Sequence, residues 1–68
     1  MKIKYDKKVD ALYFSLAKGK YSESVKVSEN VMVDKDSKGN ILGIEVLDAT
    51  ESIPAFNPKD VKLQIQTV

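Results

Sequence analysis

The side chains through which this chain could do chemistry are its carboxylates and its tyrosines. It contains neither His nor Cys, so the commonest general base and every thiol nucleophile are missing. Six acids stand out as candidates: Asp6, Asp10, Asp34, Asp36, Glu45 and Asp48. Two of them at a suitable separation could serve as the acid–base pair of a glycoside hydrolase. Local chain chemistry offers a second explanation for several. Asp6, Asp34 and Asp36 stand where turns favour Asp, and Asp48 stands where a helix would begin and could cap it. Glu45 differs, because its neighbours along a strand are apolar. It is either an exposed acid beside Lys26 or another lysine across the sheet, or a partly buried one that pairs with a partner's cation.

Asp34, Asp36, Gly39, Ile41 and Glu45 also follow the spacing of a calcium loop, with acids at positions 1 and 3, Gly at 6, an apolar residue at 8 and Glu at 12. Lys38 then occupies a position that should supply an oxygen ligand, and the flanks are rich in β-branched residues rather than helix formers. A hairpin turn accounts for the same residues. Zinc would find only carboxylates, an unusual structural site. No catalytic residue, metal or cofactor is therefore expected. Tyr5, Tyr13, Phe14 and Tyr21 could stack on single-stranded bases, but aromatic cross-strand pairs stabilise sheets directly. Gly19, Gly39 and Gly43 are too scattered to form a phosphate loop. The acids and aromatics that remain of interest, as a possible partner surface, are Tyr5, Asp6, Asp10, Tyr13, Asp34, Asp36, Glu45 and Asp48.

The elements that must position them centre on residues 31–47, two strands folded back on one turn. Val31 and Val33 alternate with Met32 and Asp34, the period of a strand. Asp36-Ser37-Lys38-Gly39 supplies the turn, with Gly39 left-handed in a bulged loop. Ile41, Leu42, Ile44, Val46 and Leu47 follow with little polar relief, which predicts a central strand covered on both faces. Gly43 within it signals a bulge or a close approach. Upstream, Ile3 and Tyr5, then residues 9–16, then residues 22–28 alternate as strands, separated by Asp6-Lys7-Lys8 and Lys18-Gly19-Lys20. Short connections predict a mainly β fold (a small α+β domain), an antiparallel meander of four to five strands. A short helical segment over residues 49–52, ended by Pro54, follows the central hairpin. At residues 57–68 a helical turn at Pro58, with Phe56 and Val61 spaced as a hydrophobic staple, competes with a strand in which Val61, Leu63 and Ile65 alternate with Lys62, Gln64 and Gln66. One turn followed by a last strand is the expectation.

The chain of 68 residues makes one domain, residues 1–49 forming the β core and 50–68 the helical turn and tail. A domain of this size buries only about 60% of its unfolded surface, and no disulfide can staple it. The net charge of +1 gives no general attraction to nucleic acid; the lysines gathered before residue 21 read as a solvated face. No apolar run suits a membrane span and no signal-peptide pattern opens the chain, so a cytoplasmic protein is expected. An apolar sheet face must be covered. One or two turns of helix are too little, so a homo-oligomer or a complex with a small partner protein is expected.

Tyr5-Asp6, Asp10-Ala-Leu-Tyr-Phe-Ser-Leu16, Val33-Asp-Lys-Asp-Ser-Lys-Gly39 and Gly43-Ile-Glu-Val-Leu-Asp-Ala49 resemble, in order and spacing, the small prokaryotic family of unknown function DUF2283. The resemblance covers roughly residues 1–49 and implies a small, mainly β domain. It implies little about activity; some members are suspected to be antitoxins of two-gene toxin–antitoxin pairs. Three readings follow. The chain is an interaction protein that binds a partner through a strand edge or its tail by β-addition, a self-associating domain with no second partner, or a carboxylate-based metal-binding or hydrolytic protein using Asp34, Asp36 and Glu45.

Overall fold

The computed structural model describes all 68 residues, Met1–Val68. Five strands, β1 (Lys2–Asp6), β2 (Ala11–Ser15), β3 (Glu23–Ser28), β4 (Val31–Lys35) and β5 (Ile41–Val46), are followed by one short helix, α1 (Ala49–Ser52). The strands form one sheet, entirely antiparallel, in the order β1-β2-β5-β4-β3. The chain is mainly β, as its alternating pattern predicts.

The central hairpin forms where its turn chemistry places it. Asp36 N–H donates to the Asn40 carbonyl at 3.0 Å and Gly39 N–H to the Asp36 carbonyl at 3.1 Å. Gly39 takes φ +85°, a conformation that costs an L side chain energy and glycine nothing. β5 lies third of the five strands, so it is central as expected. Its neighbour on the far side from β4 is β2. Residues 16–22 therefore carry the chain from β2 across the sheet to the outer edge, about three strand spacings away. Leu16 N–H and Ala17 N–H both donate to the Leu42 carbonyl, at 2.9 and 3.1 Å. Gly19 lets this segment lie against Leu42, whose Cδ2 would sit 2.7 Å from an added Cβ.

The core is small. Leu12, Val46 and Ala49 form a buried cluster, with Ile3, Tyr5, Phe14, Val31, Ile53 and Phe56 packed around it. Leu42 and Gly43 complete the five buried residues of the chain. The helix forms over the expected residues, but not with the expected cap. Asp48 stands at the N-cap in a left-handed conformation, φ 49° and ψ 50°, and its side chain makes no capping bond. In that conformation its carboxylate does not swing over the first turn, and another residue takes over the task. Residues 57–60 form a single turn, in which Asn57 Oδ1 accepts Lys59 N–H at 3.0 Å and the Asn57 carbonyl accepts Asp60 N–H at 3.0 Å. No last strand follows: residues 61–68 belong to no sheet and make no backbone hydrogen bond. The alternation of Val61, Leu63 and Ile65 made a strand plausible. Val61 and Leu63 instead wall an apolar groove over the face of the sheet, opposite Leu12 and Phe14.

Candidate functional site

The two faces of the sheet differ in kind. The register pairs Lys4 with Tyr13, Tyr13 with Glu45, Glu45 with Met32 and Met32 with Lys26. A second row on this polar face runs Lys2, Ser15, Gly43, Asp34, Ser24. Tyr13 reaches from one row into the other. Its hydroxyl donates to Asp34 Oδ2 at 3.1 Å, which requires the phenol to cross β5. It crosses over Gly43, where a Cβ would overlap the hydroxyl and stand 2.9 Å from the Phe14 carbonyl. The missing side chain of Gly43 is thus what allows a β2 residue to touch a β4 residue. Asp34 Oδ1 accepts the Ser24 hydroxyl at 2.6 Å, and Ser24 in turn shares a hydrogen bond with the Tyr21 hydroxyl at 2.9 Å. Burial, then the Asp34 hydrogen bond and the charges of Asp34 and Glu45, push the Tyr13 phenol above its ordinary value.

Tyr5 and Asp10 form a separate cluster at the other end of the fold. Asp10 is left-handed, φ 54°, and its carboxylate accepts the Tyr5 hydroxyl at 2.7 Å, the Thr50 hydroxyl at 2.7 Å and the Thr50 N–H at 3.2 Å. Its carbonyl also accepts the Ala49 N–H at 2.9 Å. Asp10, not Asp48, therefore serves the first turn of α1, across a gap of 40 residues. The Thr50 and Tyr5 hydroxyls hold Asp10 below the usual carboxylate range. In return the Asp10 hydrogen bond, followed by burial, raises the Tyr5 phenol. The Tyr5 ring meets Phe56 edge-on, with centroids 5.1 Å apart. This clasp fastens the segment after β5 onto the first hairpin.

The other candidate acids stand apart. Asp6 Oδ1 accepts Lys8 N–H at 3.0 Å, as a turn aspartate does. Asp36 is engaged by its own loop, accepting Lys38 N–H at 2.9 Å, Asn40 N–H at 2.8 Å and the Asn40 side-chain amide at 2.9 Å. Those bonds, the Asn40 amide first, lower its carboxyl. The calcium-loop spacing is thus taken up by a hairpin, and no three acids of the chain come together as a cation cage. Glu45 is half-buried, but Lys26 is not beside it: Met32 lies between them, and Tyr13 is on its other flank. Thr50 and Ser24 were invisible as site residues in the sequence. Each is an unremarkable hydroxyl until the register or the chain reversal brings an acid to it.

The opposite face carries an apolar row through every strand. Ile3 pairs with Phe14, Phe14 with Ile44, Ile44 with Val33 and Val33 with Val25. None of the five is buried. α1 and Phe56 cover the neighbouring Leu12–Val46 row instead. Over the Ile3–Phe14 end lies an apolar groove of about 200 Å³, walled by Leu12 and Phe14 on the sheet side and by Phe56, Val61 and Leu63 on the other. No helix is long and apolar enough to cross a membrane.

Comparison with curated proteins and with solved structures gave no match. The family model described as "Protein of unknown function (DUF2283)" matches residues 2–49, which hold all five strands and stop at the first residue of α1. The chain belongs to the DUF2283 family.

Proposed function

We propose that this protein is a non-catalytic association module whose apolar sheet face is completed by another protein chain. The observation that carries the reading is the row Ile3–Phe14–Ile44–Val33–Val25, which crosses the whole sheet without one buried member. An apolar face left in water forgoes roughly 25 cal/mol for each Å² that a partner could cover. All five members of the row are half-buried in the isolated chain, so a partner would cover what remains exposed of each. The acids support catalysis less well. Asp6 and Asp36 close turns, Asp10 caps a helix, and Asp34 already accepts two hydroxyls. The lack of Cys suits a reducing compartment, and we place the association in the cytoplasm.

The test is recovery of the tagged full chain from its native host, with masses and stoichiometry measured on the eluted complex. Either an equimolar second protein or additional copies of the chain are expected, and Val25→Lys is expected to release them. A small growth-inhibiting enzyme as the equimolar protein makes the chain an antitoxin. A folded chain that elutes alone and stays monomeric across a concentration series refutes the reading.

A further inference from the structure

The groove between the β1–β2 hairpin and the segment after α1 extends in both directions. Its central part, about 200 Å³, is lined by eight residues, all apolar, among them Ile3, Phe14, Phe56 and Leu63. It continues one way past Tyr5 and Pro58 and the other way past Leu16 and Met1 to Lys2. Ile3 lines all three parts, so they form one trough along β1, about 13 Å long over residues 1–5. The two ends of the trough differ in charge. At the Tyr5 end the phenol donates to the Asp10 carboxylate at 2.7 Å. At the Lys2 end a second groove, of about 230 Å³, has Lys2, Lys4, Lys18 and Ser15 in its walls, and shares Met1, Lys2 and Leu16 with the trough. No acid lines that second groove. The register sets Ser15 opposite Lys2 and Tyr13 opposite Lys4, so neither lysine has a carboxylate across from it.

We propose that the trough binds a single-chain anionic amphiphile of the fatty-acid kind, its alkyl chain along β1 and its carboxylate among Lys2, Lys4 and Lys18. The inference goes beyond the association reading and does not rest on it, because every residue it uses belongs to one chain. The two parts of such a ligand match the two observations. Walls without polar groups offer a polar ligand nothing, but they shield a hydrocarbon from water. Ammonium groups that lack an acid of their own give a carboxylate charge-assisted hydrogen bonds. Charge also fixes the direction of the ligand. At the other end its carboxylate would approach Asp10, whose own carboxylate already takes the Tyr5 and Thr50 donors. Lysines on an edge strand guard against strand pairing, and Lys2 and Lys4 serve that purpose on β1. Lys18 lies outside every strand, so that duty does not explain it. The outer wall can adjust to the width of the alkyl chain, since residues 61–68 make no backbone hydrogen bond.

The full chain is titrated with dodecanoate below its micellar concentration, with binding read by calorimetry and by the NMR shifts of Ile3, Phe14 and Leu63. One ligand per chain is expected, with shifts at those residues. Decanoate, shorter by two methylenes, is expected to bind about fifteenfold more weakly. Dodecyltrimethylammonium has the same alkyl chain and the opposite charge, and is expected to bind roughly tenfold more weakly. Lys2→Glu combined with Lys18→Glu is expected to erase that preference for the anion. Leu63→Asp is expected to weaken dodecanoate roughly tenfold or more without lowering the melting temperature of the free chain, because Leu63 is 70% exposed. Ile65 lines no part of the trough, and Ile65→Asp is expected to leave binding unchanged. No binding, equal binding of the two chain lengths or of the two head groups, or equal losses in Leu63→Asp and Ile65→Asp each overturn the inference. So does a protein that takes up anionic phospholipid vesicles but not monomeric dodecanoate. All of these are read on the isolated chain, so each leaves the association reading to its own test by mass and stoichiometry.

Discussion

The contact of Tyr13 with Asp34 across Gly43 makes a sharp test, because one added methyl group should undo it. Gly43→Ala places a Cβ where the Tyr13 hydroxyl now lies and 2.9 Å from the Phe14 carbonyl. The phenol must swing away, and with it goes the 3.1 Å bond to Asp34. A hydrogen bond to a charged acceptor contributes about 1.5 kcal/mol at the low end suited to this half-exposed site. Shifting β2 and β5 to relieve the carbonyl contact adds about 1 kcal/mol. The gain from replacing Gly by Ala within a strand, about 0.5 kcal/mol, offsets part of this. The net loss is ~2 kcal/mol, which for a domain of this size lowers the melting temperature by about 8–16 °C. Thermal and urea unfolding followed by circular dichroism, on Gly43→Ala, Tyr13→Ala and the double variant, separates the two contributions. With Tyr13 already removed, Gly43→Ala should cost only the smaller carbonyl contribution, so the two substitutions should couple by about 1 kcal/mol or more. A Gly43→Ala protein as stable as the parent refutes the reasoning. So does a cost that Tyr13→Ala leaves undiminished.

Asp10 is held below its ordinary value of 3.8 by the Thr50 and Tyr5 hydroxyls. Its contribution is therefore complete above about pH 4 and lost as pH falls further, and acid unfolding of Asp10→Asn, which keeps the left-handed backbone, should depend less on pH in that window. Tyr13 is raised above 10.0, so its contribution is complete below pH 10 and lost as pH rises beyond it; Tyr13→Phe should flatten the alkaline arm of the stability profile, read by urea midpoint against pH. Millimolar calcium or magnesium should leave the melting temperature unchanged, since a cation that selects the folded state must raise it; a clear rise reinstates Asp34, Asp36 and Glu45 as ligands.

Much of the architecture was legible because local patterns and tertiary needs agree. Asp36 and Gly39 name a turn that any hairpin between two alternating runs would use, and the loop closes as their chemistry predicts. Strand alternation located every strand of the sheet, and the apolar run from Ile41 to Leu47 correctly announced a central strand. The candidate acids were legible as turn formers at Asp6 and Asp36, but not at Asp34, which lies within β4 and accepts hydroxyls from across the sheet. Asp48 failed for a local reason: a good capping residue cannot cap from a left-handed backbone. The tail failed for a non-local one, since alternation tells which side chains share a face but not where the fold carries that stretch; here it walls a groove over the sheet face while the β1 and β3 edges stay unpaired.

By itself, then, the sequence determined the strand segments, the turn chemistry and the exclusion of histidine and thiol chemistry, because these depend on residue type and near neighbours. Only the tertiary structure decided that β5 lies between β2 and β4, and three consequences follow from that order. Tyr13 meets Asp34 over Gly43, Lys26 is kept from Glu45 by Met32, and five apolar residues from five strands fall into one row. The physical reason is common to all three. Strand order and register set which side chains stand 5 Å apart across a sheet, and both are chosen by the whole fold rather than by any stretch of chain within it.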